Sequence, residues 1–174
     1  MSISVIIPIK DEEKIILETL KKIEESWIIR IDHEILIIND NSSDKTVELI
    51  KNENFQKLKI ILLDNPKMGL GSAIQCGIDN SSNEFINIYM ADMSDSIEDL
   101  KIYYEKMKDN KLLDAIFGSR FIKNSKVVNY PKIKLFLNRL ANNLIKIIFF
   151  SRYNDFTNAF KIYKRTTLLK LYPL

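Results

Sequence analysis

The chain is poor in cysteine, glycine and proline: its 174 residues include one cysteine, Cys76, four glycines and four prolines. A single cysteine excludes an internal disulfide framework and a cysteine-rich zinc site, and it suits a reducing, cytoplasmic setting. So little glycine and proline excludes collagen-like or linker-like character. Long apolar runs are missing too. The stretch Ile145 to Phe150 is broken by Lys146, far short of the ~20 apolar residues of a membrane-spanning helix. Met1 runs directly into SISVIIP with no charged leader and no small-residue cleavage site, so no secretory signal is expected. What is present is 46% hydrophobic and 28% charged residues at a mean hydropathy of -0.10. That composition excludes intrinsic disorder and predicts one soluble domain, residues 1–174, around one core.

Charge is divided unevenly along the chain. Residues 1–110 hold 13 Lys+Arg against 21 Asp+Glu, a balance of -8, whereas residues 111–174 hold 13 against 2, a balance of +11. A basic half of this kind faces phosphates of a nucleotide, a nucleic acid or an anionic lipid surface, or is simply a solvated face. Nucleic acid is the poorer reading, because the cations lie beside aliphatic runs and few aromatics form a stacking surface.

Short aliphatic runs alternate with helical stretches, the pattern of an α/β domain with a mostly parallel sheet flanked by helices. Strands are predicted over Ile3–Ile7, Glu34–Ile38, Leu58–Leu63, Phe85–Tyr89 and Asp114–Phe117. Helices are predicted over Glu12–Trp27, where Ile16, Leu20, Ile23 and Trp27 share a face, then over Asp44–Lys51, Ser72–Asn80 and Ile97–Lys108. Ser94 or Ser96 is a candidate cap for the last of these. A further helix is expected from Pro131 to about Phe150. Its apolar residues Ile133, Phe136, Leu137, Leu140, Leu144, Ile147 and Ile148 recur at three and four, among the cations Lys132, Lys134, Arg139 and Lys146. Such a helix either packs on its own domain or lies in a membrane interface with its cations among lipid phosphates.

In an open parallel sheet, ligands bind beyond the carboxyl ends of the strands. Three such ends are acidic here: PIKDE at 8–12, NDNSSDKT at 39–46 and MADMSD at 90–95. Carboxylates at one sheet edge can accept hydrogen bonds from a base and ribose, or hold Mg²⁺ or Mn²⁺ against a diphosphate. Each is also a plausible solvated residue or helix cap, Asp44 in particular. Gly69-Leu70-Gly71-Ser72-Ala73 lacks the P-loop lysine and the spacing of a dinucleotide fingerprint. It reads as a tight turn opening a helix, whose amides can face an anion. His33 is expected at the surface, and Cys76 in the core.

The segments SVIIPIKDEE, EILIINDNSSDKT, GLGSAIQCGI, YMADMSD, GSRF and NDFTNAFKIYKR, in this order over nearly the whole chain, resemble the nucleotide-sugar-dependent glycosyltransferases of family 2. Among these they are most similar to the polyprenyl-phosphate (dolichol-phosphate) mannosyl- and glucosyltransferases. The resemblance implies a GT-A fold, a Rossmann-like nucleotide-diphospho-sugar transferase domain over residues 1–174. Its nucleotide-sugar half would be 1–110 and its acceptor half 111–174. Because relatives usually continue through another strand and helix, the chain is expected to be short at its C-terminus, and an unpaired edge left there would favour a homodimer.

Carried over by position, the resemblance implies that Pro8, Glu12 and Gly71 border the nucleotide and that Asp40 binds its base or ribose. Asn39 stands where the family has an acid. Asp92 matches the last acid of the family's D-x-D metal motif and is the implied ligand of Mg²⁺ or Mn²⁺, while Met90 stands in place of the first acid. Asp92, Asp95 and Arg120 are the implied catalytic residues, and Asp92 or Asp95 is a candidate base should the acceptor be a hydroxyl. Arg120, with Lys134 and Asn138 behind it, falls where the family grips the acceptor phosphate. Asp155, Thr157 and Phe160 match its D-x-T-x-x-F segment, followed by Lys161. The implied activity is transfer of a mannose- or glucose-type sugar from a GDP- or UDP-sugar to a polyprenyl phosphate, by inverting single displacement. The implied location is the cytoplasmic face of a membrane, held peripherally. The alternative is a catalytically impaired nucleotide-sugar-binding or scaffold protein, which Met90 and the early stop favour.

Overall fold

The computed structural model describes residues 1–122 and 131–171, apart from the side chains of Lys132 and Lys134. The chain forms two compact units: Met1–Ile116 with Ile162–Leu174, and Phe117–Lys161.

The sheet grows outward from the most apolar run. Strand β1 (Ile3–Ile9) is buried at all seven positions, as expected of a central parallel strand covered on both faces. It pairs in parallel with β2 (His33–Asn39) on one side and β4 (Phe85–Ile88) on the other, and β2 pairs in parallel with β3 (Ile60–Asp64). The full order is β3-β2-β1-β4-β6-β5, with β5 at Ala115–Phe117 and β6 at Lys161–Lys164. Strands β5 and β6 run antiparallel, since the Lys164 N–H reaches the Asp114 carbonyl and the Gly118 N–H reaches the Phe160 carbonyl. An α/β domain with a mostly parallel sheet is therefore what the chain forms, with β6 as a strand that the polar-flanked segment KIYK does not announce.

The helices are α1 (Ile16–Glu24), α2 (Thr46–Asn52), α3 (Leu70–Asn80), α4 (Ile97–Asp109), α5 (Lys132–Ile148) and α6 (Arg165–Lys170). Helix α1 begins four residues later than its periodicity predicts. Asp11 takes a left-handed φ of 55°, and the Glu12 and Glu13 N–H groups are claimed by Thr46 Oγ1 and Asp44 Oδ2. Trp27 falls instead in a short 3₁₀ turn, where its indole N–H donates to the Ile97 carbonyl. Ser96, not Ser94, caps α4 by accepting the Asp99 N–H. Helix α3 lies on β1 and β2 around a core of Ile6, Leu36, Ile38, Ala73, Ile78 and Ile86, against which Cys76 also packs. Gly77 makes this close approach possible, because a Cβ there would press into the Ile6 side chain. His33 is a correction to the sequence reading: it is buried at the start of β2. Its Nδ1 lies 2.9 Å from the Ile31 carbonyl, a contact that requires the proton on Nδ1.

At the opposite, amino-terminal edge of the sheet a buried carboxylate ties three segments together. Glu34 accepts from Ser4 Oγ, the Ser82 N–H and Ser82 Oγ at 2.6 to 2.8 Å. Burial alone would raise its pKa, but these hydrogen bonds together outweigh burial and hold it below the ordinary glutamate range.

Candidate functional site

Ile9, Asn39 and Asp64 stand in register across β1, β2 and β3, so the loops that follow leave from one edge. There the first two loops are stitched together. Asp11 Oδ1 accepts from the Ser43 N–H, and the Ser42 hydroxyl accepts the Asp11 N–H. Asp44 accepts the Thr46 N–H at the start of α2 and the Glu13 N–H from the neighbouring loop, so it is a cap as well as a surface charge. Glu12 shows how tightly the acids gather. Its carboxyl is held above the ordinary range first by burial, then by repulsion from Asp92, Asp44 and Asp11.

Pro8 is buried within β1. By the strand's alternation its ring nitrogen faces β4, whose ladder to β1 ends at the Tyr89 N–H to Ile6 carbonyl bond, so the missing donor costs nothing. Asp40 is also buried, with its carboxylate turned inward: it accepts from Asn65 Nδ2 at 2.6 Å and from the Gly69 N–H at 2.9 and 3.1 Å. The Gly69 amide, then Asn65, hold its pKa below the ordinary aspartate value. Asp40 thereby fixes the turn at Gly69, whose φ of 110° favours glycine, and so sets the start of α3. A Cβ on Gly69 or Gly71 would meet nothing within 4 Å, which leaves the backbone at the N-terminus of α3 open to approach. Asn39, where the family resemblance has an acid, donates to Asp64 Oδ1 at 2.8 Å; an acid in its place would repel that carboxylate.

In the third loop Asp95 is buried, and its Oδ2 accepts the Met90 N–H while its carbonyl accepts the Tyr89 hydroxyl. Asp95 thus shapes the loop. Asp92 is exposed at its tip, with Oδ1 accepting the Ser94 N–H. Among the described residues no three His, Cys, Asp or Glu side chains are grouped closely enough to hold a metal. Asp92 offers one hard oxygen donor set in an acidic field, and Met90 offers none. The donor chemistry therefore fits a divalent cation shared with a diphosphate and no cation caged by protein alone.

In the second unit, the segments at 118–121 and 153–158 face one another. Arg120 gives Asp155 its backbone N–H (2.8 Å), Nε (2.9 Å) and Nη2 (2.6 Å). Asp155 is 0% exposed and Arg120 22%. The Asn158 amide and the Tyr153 hydroxyl both donate to the Gly118 carbonyl. Phe160 is buried, and Lys161 is half-buried with Nζ donating to the Phe156 carbonyl and lying 5.1 Å from the Phe117 ring. Burial lowers the Lys161 pKa, against the pull of Asp155.

Helix α5 is turned the opposite way to a core helix. Leu135, Asn138, Asn142 and Ile145 face inward, whereas the apolar stripe from Ile133 (77% exposed) to Ile148 (67%) lies open, continued by Phe149 and by Phe150 at 96%. Of the residues the resemblance assigns to this helix, Asn138 lies on the inward face, and the side chain of Lys134 lies outside the described residues. Asn142, which sequence reasoning passed over, is fully buried and bonded to Thr157. Its signal was a polar doublet, Asn142-Asn143, inside an aliphatic helix. No helix among the described residues is long and apolar enough to cross a membrane.

A family model described as glycosyl transferase family 2 matches residues 4–171. A dolichyl-phosphate beta-glucosyltransferase of Trichomonas vaginalis is 30% identical over 145 residues, 80% of this chain and 43% of that protein. A dolichol-phosphate mannosyltransferase of Pyrococcus furiosus is 28% identical over 131 residues, 75% of this chain and 36% of that protein. The chain thus spans less than half the length of these relatives. Among solved structures, a mannosyltransferase from Pyrobaculum calidifontis in complex with GDP-Man and Mn²⁺ shares the fold at a TM-score of 0.68 and 19% identity, covering 98% of this chain and 46% of that one. Glucosyl-3-phosphoglycerate synthase from Mycobacterium tuberculosis, in complex with Mn²⁺, UDP and phosphoglyceric acid, shares it at 0.71 and 13%, covering 96% and 57%.

Proposed function

The chain belongs to glycosyl transferase family 2 and has the GT-A fold, and from that premise we propose that it is a hexosyltransferase. It moves a glucose- or mannose-type sugar from a UDP- or GDP-sugar to a polyprenyl phosphate, by a single inverting displacement at the cytoplasmic face of a membrane. The observation that carries this reading is the orientation of α5, whose apolar stripe is exposed while its asparagines face inward. An acid-free run from Ala115 to Asn154 surrounds that stripe with cations. This combination suits a lipid surface bearing phosphates. The dolichyl-phosphate transferases among its relatives support the same acceptor.

In this reading the strand edge of the first unit takes the donor. Asp40 and Gly69 hold open the backbone at the start of α3, and Pro8, Glu12 and Gly71 border the nucleotide. Asp92 would hold a shared Mg²⁺ or Mn²⁺, which when bound neutralises charge on the departing diphosphate. Asp95 keeps the Asp92 loop in shape through the Met90 N–H. In the second unit, Arg120 is locked by Asp155 and, with Asn138 and Lys134, serves the acceptor phosphate. A phosphomonoester with a second pKa near ~6 is mostly ionised at neutral pH and attacks without a general base. A calorimetric and thermal-shift screen of GDP, UDP, CDP and their sugar conjugates, with and without Mg²⁺ or Mn²⁺, tests the donor assignment. Selective, metal-dependent binding of one nucleotide is expected, and binding of none rejects it. Met90 favours a second reading, a nucleotide-sugar binder without turnover. Retained donor binding with no sugar transfer would establish that reading in its place.

A further inference from the structure

Residues 117–161 contain nine lysines and arginines and a single acid, Asp155. That acid is wholly buried and is consumed by three N–H groups of Arg120. The unit therefore carries a net charge of +8 with no exposed acid to moderate it, and attracts anions. Within it, Thr157 occupies an exposed turn between Asp155 and Asn158. Its Oγ1 accepts two hydrogen bonds, from Arg120 Nη2 at 3.0 Å and from Asn142 Nδ2 at 2.9 Å. A hydroxyl has two lone pairs and one proton. With both lone pairs filled by protein donors, the proton is the hydroxyl's only remaining capacity, and it is directed away from them.

Asn142 enforces that direction. Its Oδ1 accepts the Thr157 backbone N–H at 3.3 Å, while Nδ2 donates to Thr157 Oγ1 and to the Asn138 carbonyl at 2.8 Å. Flipping the amide would set its oxygen against that carbonyl and its nitrogen against an N–H, so only one orientation satisfies all three bonds. The buried amide thus always presents a donor to the threonine. We infer that Thr157 is an anion-binding hydroxyl, donating its proton to a phosphate oxygen of the acceptor, and that Asn142 is the positioning residue that aims it. The assignment of the anion as the acceptor phosphate rests on the transferase reading; the outward donor in a cationic unit does not.

Three substitutions separate the roles. Thr157→Val keeps the shape and removes the whole hydroxyl, its proton together with the oxygen that accepts from Arg120 and Asn142, and Thr157→Ser keeps the hydroxyl. Asn142→Asp replaces the donor with an acceptor, so the threonine proton turns inward to it. The full chain and each variant are titrated calorimetrically with geranyl phosphate, a short soluble prenyl phosphate, and separately with the nucleotide that the wild type binds. Expected is a loss of about tenfold or more in geranyl phosphate affinity for Thr157→Val, the range of one hydrogen bond to a charged group. Thr157→Ser is expected to stay within about threefold of wild type, and nucleotide affinity to stay unchanged throughout. Asn142→Asp should behave as Thr157→Val does; should it fail to fold, Thr157→Val alone decides. In turnover the loss should appear in KM for the lipid phosphate, with kcat for bound acceptor changing less. Undiminished geranyl phosphate binding by Thr157→Val, or no binding by a wild type that does bind nucleotide, overturns the inference. A wild type that binds neither nucleotide nor nucleotide sugar overturns the transferase reading instead, and the Thr157→Val comparison with geranyl phosphate still decides the role of the hydroxyl.

Discussion

Asp155→Asn is expected to be one of the most damaging single-atom changes in the second unit. The carboxylate is fully buried and receives three N–H groups from Arg120, whose side chain is 22% exposed. Asparagine supplies one accepting oxygen. If that oxygen takes the Oδ2 position, it keeps the Arg120 backbone N–H and Nε, and its NH₂ is then set against Nη2. At least one hydrogen bond between charged groups is lost, about 1.5–3 kcal/mol. The guanidinium is also left without its counter-ion; a fully buried orphan would cost about 3–5 kcal/mol, and the part of Arg120 that reaches water reduces this. The expected loss is about 3 kcal/mol. Tryptophan fluorescence is a poor reporter, because the only tryptophan, Trp27, lies in the other unit. Urea unfolding followed by far-ultraviolet circular dichroism, with hydrogen exchange on the α5 amides, reads the second unit directly. A variant within about 0.5 kcal/mol of wild type, with α5 protected as before, would refute the reasoning.

Gly77→Ala gains helix propensity of about 1 kcal/mol but places a Cβ inside contact distance of the buried, branched Ile6 side chain, 3.0 Å from Cγ1. Overpacking costs of about 1–3 kcal/mol make net destabilisation the expected result in a thermal melt. The Glu34 carboxyl has its folded pKa lowered, so its contribution is complete above the ordinary value of 4.5 and is lost as pH falls through the folded value. Glu34→Gln should therefore be less stable than wild type at pH 7, with the gap closing in acid. Glu12 has the opposite sign: its raised pKa means that ionisation opposes folding at neutral pH. Glu12→Gln should then raise the melting temperature in metal-free buffer, and the gain that wild type shows on adding Mn²⁺ should vanish in Asp92→Asn. Phe149→Ser with Phe150→Ser, at positions that are 71% and 96% exposed, should leave the melting temperature unchanged and reduce sedimentation with anionic vesicles.

Those contrasts also mark what a sequence can announce. Strands β1 to β5 are legible because each is an aliphatic or β-branched run of strand length, and α5 is legible in extent because its apolar residues keep a helical period. Its facing is not legible. Periodicity marks an apolar side and leaves open whether it meets the core or a lipid surface; the group that draws Asn142 inward is Thr157, fifteen residues beyond it, and no local pattern encodes that pairing. The acidic strand ends are equally visible as a set, yet their members divide by contacts that lie elsewhere. Asp40 turns to Gly69, Asp95 turns to Met90, and Asp92 and Glu12 are left among mutually repelling acids. Strand β6 escaped because its alternation, with Ile162 buried between Lys161 and Tyr163, spans four residues flanked by cations.

The transfer itself is the most direct measurement of the central claim. The full chain is incubated with the nucleotide sugar it binds, Mn²⁺ or Mg²⁺, and a polyprenyl phosphate in anionic vesicles, and the lipid fraction is analysed by mass spectrometry and by the anomeric coupling of the product. The account predicts a polyprenyl phosphohexose of anomeric configuration opposite to that of the donor. Bound donor with no sugar appearing on the lipid would contradict it.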